Sequence, residues 1–505
     1  MAKYTPGNSS QKMMFFVFPE DQIAPGTFEF VIHTLIEDHM DMSVFDDRYK
    51  NDETGRLAYD PRILLKIVLL AYSRGIFSSR PIERACIENV TFMALAKCQQ
   101  PDHSTIAAFV SSMKDEIGSL YTDVLLVCEE EGLLGGTFFA LDGCKLPSNA
   151  SSRESGKISD IRLKRDRIKA KVRQIIKEQI QADKKDAGDE KAARSFDRSN
   201  RKEQIARLQK KADKINQWLK ENDAKIGRQG REIKSNVTDN ESAMMVTAHG
   251  TIQGYNGQAL VDDSNQVIVH AEVFGDGNDH HHVLPMIDGA KENMKALGHE
   301  DDYFEDTILT ADGLYHSEES LEKCEEEKID AYIPDKHFRK RNPDLEIRGK
   351  RNKNKSNRIH LEDFDYREAD DVYICPKGKV LRLKARNSRG SGDRIQNIYV
   401  ADDCTGCEIK TRCISRKNGK RRYLTVRTGT ASNSRNKIMA DKIDSEEGRR
   451  IYSRRFGIIE PVFGNIRSQK RLDRFTLRGK VKVNIQWLLY CMVHNMEKIA
   501  NYGTI

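Results

Sequence analysis

The sequence predicts a mixed α/β protein that begins with an all-helical domain and carries two inserts. The prediction depends on helix-type apolar spacing before residue 135, on short apolar runs that end in Asp-Gly, and on a coiled-coil pattern between them. The predicted parts are a helical N-terminal domain (1–135), a mixed α/β domain (136–335 and 440–505), a basic hairpin inserted in it (158–235) and a cysteine-containing β-rich insert (336–439).

The N-terminal helices are predicted from their start signals. Asp60 and Pro61 precede the apolar segment "RILLKIVLLAY", and Ser79 precedes "RPIERACIENVTFMALA". Ser104 is the predicted cap of the next helix, since small polar residues favour the position before the first helical turn. Short helices with tight turns form either an ordinary bundle or a helix-turn-helix-like module. The sequence leaves both alternatives open.

The positive charge of the chain is concentrated in one segment. The 505 residues have a net charge of +7, but residues 151–235 alone hold 26 Lys/Arg and 14 Asp/Glu. Such a concentration predicts a polyanionic partner, most often nucleic acid, although a solvated helix surface is the alternative interpretation. Within residues 158–225 the spacing predicts a coiled-coil hairpin with its turn near 183–200, on the apolar positions Ile205, Leu208, Ala212, Ile215 and Leu219.

The sequence shows no secretory signal and no apolar stretch of membrane-spanning length, so we expect a soluble, cytosolic protein. In a reducing compartment clustered thiols favour metal binding over disulfides. One cluster stands out, formed by Cys375, Cys404, Cys407 and Cys413. Four thiolates suit a structural Zn²⁺ ion, and unmetallated structural cysteines are the alternative.

Three acids are candidate metal ligands. Asp142 follows the strand-like run "FFAL", Asp312 follows "TILTA", and each is followed by glycine. Glu460 lies beside an apolar helical stripe formed by Tyr452, Phe456, Ile459, Phe463 and Ile466, where its partner is either an arginine or a shared metal ion. Three such acids suit two Mg²⁺ or Mn²⁺ ions, which can clamp both sides of a phosphoryl displacement.

Two further polar motifs have simpler interpretations. "DHHH" at 279–282 could bind a metal or contact DNA, but we interpret Asp279 as the cap of a helix. "GYNGQ" at 254–258 predicts a hairpin turn, with Asn256 and Gly257 at positive φ.

Four segments then point to one family. "FFALDGCKLPSNAS", "GYNGQALVDD", "ILTADGLYHSEES" and "YSRRFGIIEPVFGNIRSQKRLDRF" together resemble the bacterial insertion-sequence transposases of the DDE superfamily. The resemblance covers most of residues 40–500. It implies an RNase H-like catalytic core, preceded by the helical N-terminal domain that binds DNA ends.

The resemblance also assigns roles to residues. It implies that Asp142, Asp312 and Glu460 hold the catalytic Mg²⁺ or Mn²⁺ ions. Around this glutamate, the DNA-binding residues that it implies are Tyr452, Arg455, Arg467 and Lys470. The step from Arg455 to Glu460 is one residue longer than the commonest family pattern, and Arg467 stands where lysine is usual.

The function expected from this resemblance is DNA transposition. The partners would be double-stranded DNA at element ends and at the target, and a second copy of the chain in a homodimer, with no membrane contact. A repurposed DNA-binding protein without catalysis is the alternative of a different class. A nuclease with the same metal site but no strand transfer is the third.

Overall fold

The computed structural model describes residues 18, 20–48, 57–185, 191–227, 230–248, 250–342, 359–389, 395–414, 419–427 and 435–505. Two compact units are present. The first comprises Met1–Tyr315, Lys323–Ala331 and Ser453–Ile505, and the second His316–Glu322 and Tyr332–Tyr452. Among the described residues, no helix combines the length and the apolar character needed to cross a membrane.

The N-terminal helices of the first unit are α1 (Phe28–Thr34), α2 (Pro61–Ser73), α3 (Ser79–Glu88), α4 (Val90–Leu95), α5 (His103–Ser112) and α6 (Ile117–Glu130). Asp60 caps α2 as predicted, because its carboxylate accepts the Arg62 backbone N–H at 2.8 Å. The predicted cap of α5 is wrong. Asp102 takes this role, accepting the backbone N–H groups of Ser104 and Thr105 at 2.8 and 3.0 Å.

The strands of the first unit are β1 (Phe138–Pro147), β2 (Ser155–Gly156), β3 (Ser235–Asn236), β4 (Ala243–Thr247), β5 (Gly250–Asp262), β6 (Ile268–Phe274), β7 (Ile308–Ala311) and β8 (Asp330–Tyr332). Six of them form one sheet in the order β4-β5-β1-β7-β8, with β6 also paired to β5. β1 runs antiparallel to β5 and parallel to β7. The mixed α/β prediction is therefore confirmed.

The hairpin turn predicted at Asn256-Gly257 is wrong. Both residues lie inside β5, opposite Lys145 and Cys144 of β1. The glycine allows close packing here, because a Cβ atom at Gly257 would come within 3.1 Å of the Trp487 ring. The turn signal in the sequence thus marks a close approach between strand and helix.

The long hairpin is confirmed. It consists of α7 (Ile158–Lys185) and α8 (Lys191–Glu221), and β2 and β3 pair at its base. The predicted apolar positions of α8 are buried or half-buried, with Ala212 3 % and Ile215 1 % exposed. The predicted turn region 183–200 is mostly helical, and its central residues 186–190 lie outside the described residues.

Two helices follow the sheet strands, α9 (Val283–Ala296) and α10 (Glu318–Glu326). The second unit contains α11 (Phe338–Arg341), α12 (Lys410–Cys413) and α13 (Arg435–Asp444). Its five-stranded antiparallel sheet is formed by β9 (Asp365–Arg367), β10 (Val372–Ile374), β11 (Val380–Arg389), β12 (Ile395–Ala401) and β13 (Tyr423–Arg427). The predicted β-rich insert is thus confirmed.

The last helices are α14 (Glu446–Gly464) and α15 (Lys480–Tyr502). α15 is buried along most of its length, as predicted, and packs against β6, α6 and α2. Helix α14 continues through Pro461. Proline cannot donate to the carbonyl four residues earlier, and the side-chain amide of Gln266 donates to that Gly457 carbonyl instead, at 3.0 Å.

Candidate active site

Asp142 and Asp312 lie side by side at the end of a parallel strand pair. The last registered pair between β1 and β7 is Leu141 with Ala311, so each acid is the next residue of its strand path. Adjacent strands are about 4.8 Å apart, which places the two carboxylates within one small region. Asp142 does not end its own strand, however, because β1 continues to Pro147 along β5.

Arg455 of α14 binds the first of these acids. Its Nη1 donates to Asp142 Oδ2 at 2.6 Å, and the two side chains are 5 % and 26 % exposed. The other oxygen, Oδ1, accepts the backbone N–H of Gly143 at 2.8 Å. Asp142 therefore has both oxygens engaged in this structure.

The electrostatics of Asp142 reflect competing causes. Burial is the largest, and it raises the pKa because it disfavours the charged carboxylate. Arg455 and the Gly143 N–H work in the opposite direction, while the nearby charge of Asp312 adds to the increase. The net pKa of Asp142 lies above its usual value. Because burial disfavours the charged form of this carboxylate, any additional positive charge beside it would stabilise that form.

Glu460 is not brought to the other two acids as a formed ligand set. The apolar stripe predicted for α14 is partly right, since Ile459 and Ile466 are buried, but the buried face also includes Arg455, Ile458 and Val462. Glu460 is exposed, as is Phe456 of the predicted stripe. Across the described ranges, no group of three or more His, Cys, Asp or Glu side chains has an arrangement that could hold a metal ion.

A buried tyrosine, Tyr315, fixes the turn that contains Asp312 through hydrogen bonds. Tyr315, only 1 % exposed, donates its backbone N–H to the Asp312 carbonyl at 3.0 Å and its hydroxyl to Gln258 Oε1. Gln258 Nε2 in turn donates to Asp279 Oδ1 at 3.1 Å. This chain of hydrogen bonds fixes the turn that follows β7, and with it the position of Asp312.

Asp279 is the charged centre of this network, which contradicts the prediction that it caps a helix. It is 5 % exposed and accepts from Asn256 at 2.5 Å, with Lys145 Nζ at 3.5 Å. Burial works to raise its pKa, but hydrogen bonds from His282 and Asn256 and the charge of Lys145 lower it overall. Asp279 is therefore held as a buried carboxylate.

The network lies on the opposite sheet face from Asp142. Gly143 pairs with Gln258 across the two strands, so both lie on the same face of the sheet. Asp142, the preceding residue of β1, points to the other face, because successive residues of a strand alternate between the two faces. A Cβ atom at Gly143 would lie 2.0 Å from Gln258 Nε2 and 2.8 Å from Asn256 Oδ1. The glycine after Asp142 thus makes room for the network.

The predicted DNA-binding residues have different surroundings. Arg467 is exposed, and Arg455 is buried on Asp142. Tyr452, in the second unit, is half-buried and packs edge-on against Phe338 at 5.4 Å between ring centroids. Lys470 is fully buried and binds Glu497 at 2.5 Å, so it cannot reach DNA from this position.

The basic hairpin exposes much of its charge. Arg207, Lys210 and Lys214 are exposed and, at steps of three and four residues, share one face of α8. Neighbouring Lys211 instead contacts Glu154 at 2.9 Å and ties the helix to the base of the hairpin. The exposed stripe is thus separate from the cations that stabilise the fold.

Sequence reasoning missed Gln258 and Tyr315, and it assigned Asp279 to a helix cap instead of this network. One signal was available: Asn256 and Gln258 alternate in a segment of otherwise apolar strand character, and such a pattern places two amides on one sheet face. This strand pattern was overlooked because Asn256-Gly257 was interpreted as a turn.

Two family models match parts of the chain. Residues 374–500 match the family described as Transposase DDE domain, and residues 18–112 match Transposase domain (DUF772). No curated protein matches the chain. The predicted resemblance to insertion-sequence DDE transposases is confirmed by these two matches, each of which covers less than half of the chain.

Proposed function

We propose that this chain cleaves DNA at insertion-sequence ends and joins the ends to target DNA by metal-dependent phosphoryl transfer. The observation that carries the proposal is the placement of Asp142 and Asp312 as neighbours beyond the last registered pair of β1 and β7. We further propose that the six-stranded sheet is the RNase H-like core implied by the sequence motifs. A homodimer would hold two element ends at once.

The donor chemistry at this position suits a hard cation. Carboxylate oxygens are the ligands that Mg²⁺ and Mn²⁺ prefer, and Asp142 and Asp312 supply them together. Glu460 is the third proposed ligand, because it lies on the helix whose Arg455 contacts Asp142. Bound ions of this kind supply activation of a water or 3′-hydroxyl and stabilisation of the leaving oxygen.

Arg455 has two proposed roles. Without metal it compensates the charge of Asp142, and its release would free Oδ2 for another ligand. A released guanidinium beside the acids could then bind a DNA phosphate, since guanidinium matches phosphate geometry. Arg467, exposed on the following segment, is the second proposed phosphate contact.

The test is DNA cleavage by single-acid variants. Purified chain is incubated with Mg²⁺ or Mn²⁺ and a plasmid carrying the DNA that flanks its own gene, and nicking and joining are followed on gels. We expect D142A, D312A and E460A to lose cleavage while retaining DNA binding. D301A is the control, because Asp301 is exposed and forms only a surface ion pair with Lys295. Cleavage surviving in any of the three variants would refute the metal roles.

The alternative is a DNA-binding protein without catalysis. The specific observation in its favour is that Arg455 occupies Asp142 Oδ2 while Glu460 points into solvent. This alternative predicts that the wild-type chain binds the flanking DNA but leaves it intact with either metal. Nicking without joined products would instead identify a nuclease.

A further inference from the structure

The second unit contains a small cavity that is lined by all four clustered cysteines. Its volume is about 20 Å³, which is enough for a single water or ion. Cys404 and Cys413 are each 9 % exposed, and Cys375 and Cys407 are half-buried. Residues that lie 38 positions apart in the sequence, Cys375 and Cys413, thus face one atom-sized space.

Two tight turns bring three of the cysteines to this cavity. Gly378 follows Cys375 at φ +74°, and Gly406 lies between Cys404 and Cys407 at φ +72°. Neither backbone conformation suits a residue with a Cβ atom. In the first turn the Lys379 backbone N–H donates to Cys375 Sγ at 3.3 Å. A backbone donor of this kind orients the sulfur, as outer-shell hydrogen bonds orient the ligands of metal sites.

The remaining lining is partly basic and partly apolar. Lys379, Lys410 and Arg422 line the cavity, and Arg422 donates to the Cys413 carbonyl at 2.7 Å. The rest of the wall is apolar, formed by Leu381, Ala401, Ile409 and Ile414. An apolar wall keeps water from competing for a bound ion.

We propose that Cys375, Cys404, Cys407 and Cys413 form a structural Zn²⁺ site in the second unit. Four cysteine sulfurs are a complete tetrahedral ligand set for zinc. The sulfurs surround the cavity without the geometry of a formed metal site, so binding would draw them together and release the thiol protons. The ion would link the two turns to Cys413 of α12 and add to the small apolar core of this unit.

The first test is the metal content of the full chain. Chain purified with Zn²⁺ and then dialysed is expected to retain one ion per chain, and C404S and C407S are expected to lose it. C98S is the matched control, because Cys98 is an exposed thiol outside the cluster. Retained zinc in both C404S and C407S would place the ion elsewhere and overturn the proposal.

A second test needs no variant and so does not depend on variant folding. The wild-type chain is treated with N-ethylmaleimide before and after zinc chelation by TPEN, and the modified cysteines are mapped by mass spectrometry. We expect chelation to expose all four cluster cysteines, renewed Zn²⁺ to protect them, and Cys98 to react throughout. Labelling that is the same with and without the chelator, in a chain that retains no zinc, would overturn the site.

Discussion

Arg455 and Asp142 form an ion pair at 2.6 Å between residues 313 positions apart in the sequence. The pair joins α14 to the central strand β1 and buries a guanidinium that is only 5 % exposed. Removing one member of a buried pair leaves the other charge uncompensated, which costs about 3–5 kcal/mol. The ion pair therefore stabilises the fold, and it also decides whether Asp142 Oδ2 is free to bind another ligand.

The first prediction concerns this pair. In a double-mutant cycle with D142N and R455Q, urea unfolding should give a coupling free energy of about 1–3 kcal/mol. The control cycle uses Arg454 and Asp263, a more exposed pair with 50 % and 26 % exposed side chains. Its coupling should stay below about 1 kcal/mol. Equal coupling in the two cycles would contradict the buried character of the Arg455 contact.

The second prediction concerns Tyr315, which fixes the turn that contains Asp312. Y315F removes the hydroxyl that binds Gln258, so the Asp312 turn should lose its support. We expect cleavage to slow by roughly tenfold to a hundredfold, since small misplacements of reacting groups have effects of this size. DNA affinity should not change.

Y121F is the matched control for this loss. Tyr121 is equally buried and donates its hydroxyl to the Ile268 carbonyl at 2.6 Å, away from the acids. Both variants should lose a similar amount of stability, about 1–3 kcal/mol, but Y121F should cleave at the wild-type rate. If both variants slow cleavage equally, Tyr315 contributes to stability alone.

The third prediction concerns the exposed stripe of α8. Replacing Arg207, Lys210 and Lys214 by glutamine should weaken DNA binding and reduce its dependence on salt. Each lost phosphate contact lowers the slope of log K against log salt by about 0.9. Binding is measured by fluorescence anisotropy over a salt series.

A charge-matched control tests whether the position matters. Glutamine at Lys114, Lys295 and Lys328 removes the same charge from exposed positions outside the hairpin. This variant should keep the wild-type salt slope. Identical slopes for the hairpin variant and the wild-type chain would show that the stripe does not touch DNA.

The fourth prediction concerns stability in acid. Burial lowers the pKa of His270 to about 4 and that of His494 to about 3. In the unfolded chain these rings take up protons near pH 6.5, while the folded chain keeps them neutral. Stability should therefore fall as the pH decreases from about 6.5 towards 4, by about 1.4 kcal/mol per pH unit for each histidine.

Urea unfolding between pH 7 and pH 5 measures this effect. H494Q should show a smaller loss of stability over the range, because one of the two buried rings is gone. H337Q is the control, since His337 is exposed, and it should follow the wild-type curve. A pH dependence that is the same in all three proteins would contradict the assignment to buried histidines.

Local signals in the sequence determined the secondary-structure elements of this protein, that is, where several of its helices and strands lie. Asp60-Pro61 starts α2, and the spacing from Ile205 to Leu219 defines the seam of α8, because caps and helical periodicity depend on neighbours a few residues away. The strand that ends before Asp312 was predictable for the same reason. The motifs also indicated the resemblance to DDE transposases that the two partial family matches support.

Only the tertiary structure decided which faces are buried and which distant residues meet. The apolar stripe of α14 predicted one face, but packing placed Arg455 inside on Asp142 and Glu460 outside, since a helix rotates to satisfy its partners. Asn256-Gly257 has the local signal of a turn, yet β1 and Trp487 hold it in a strand. Contacts between residues hundreds of positions apart outweigh local preference, because burial and cross-strand pairing contribute more free energy than a turn propensity.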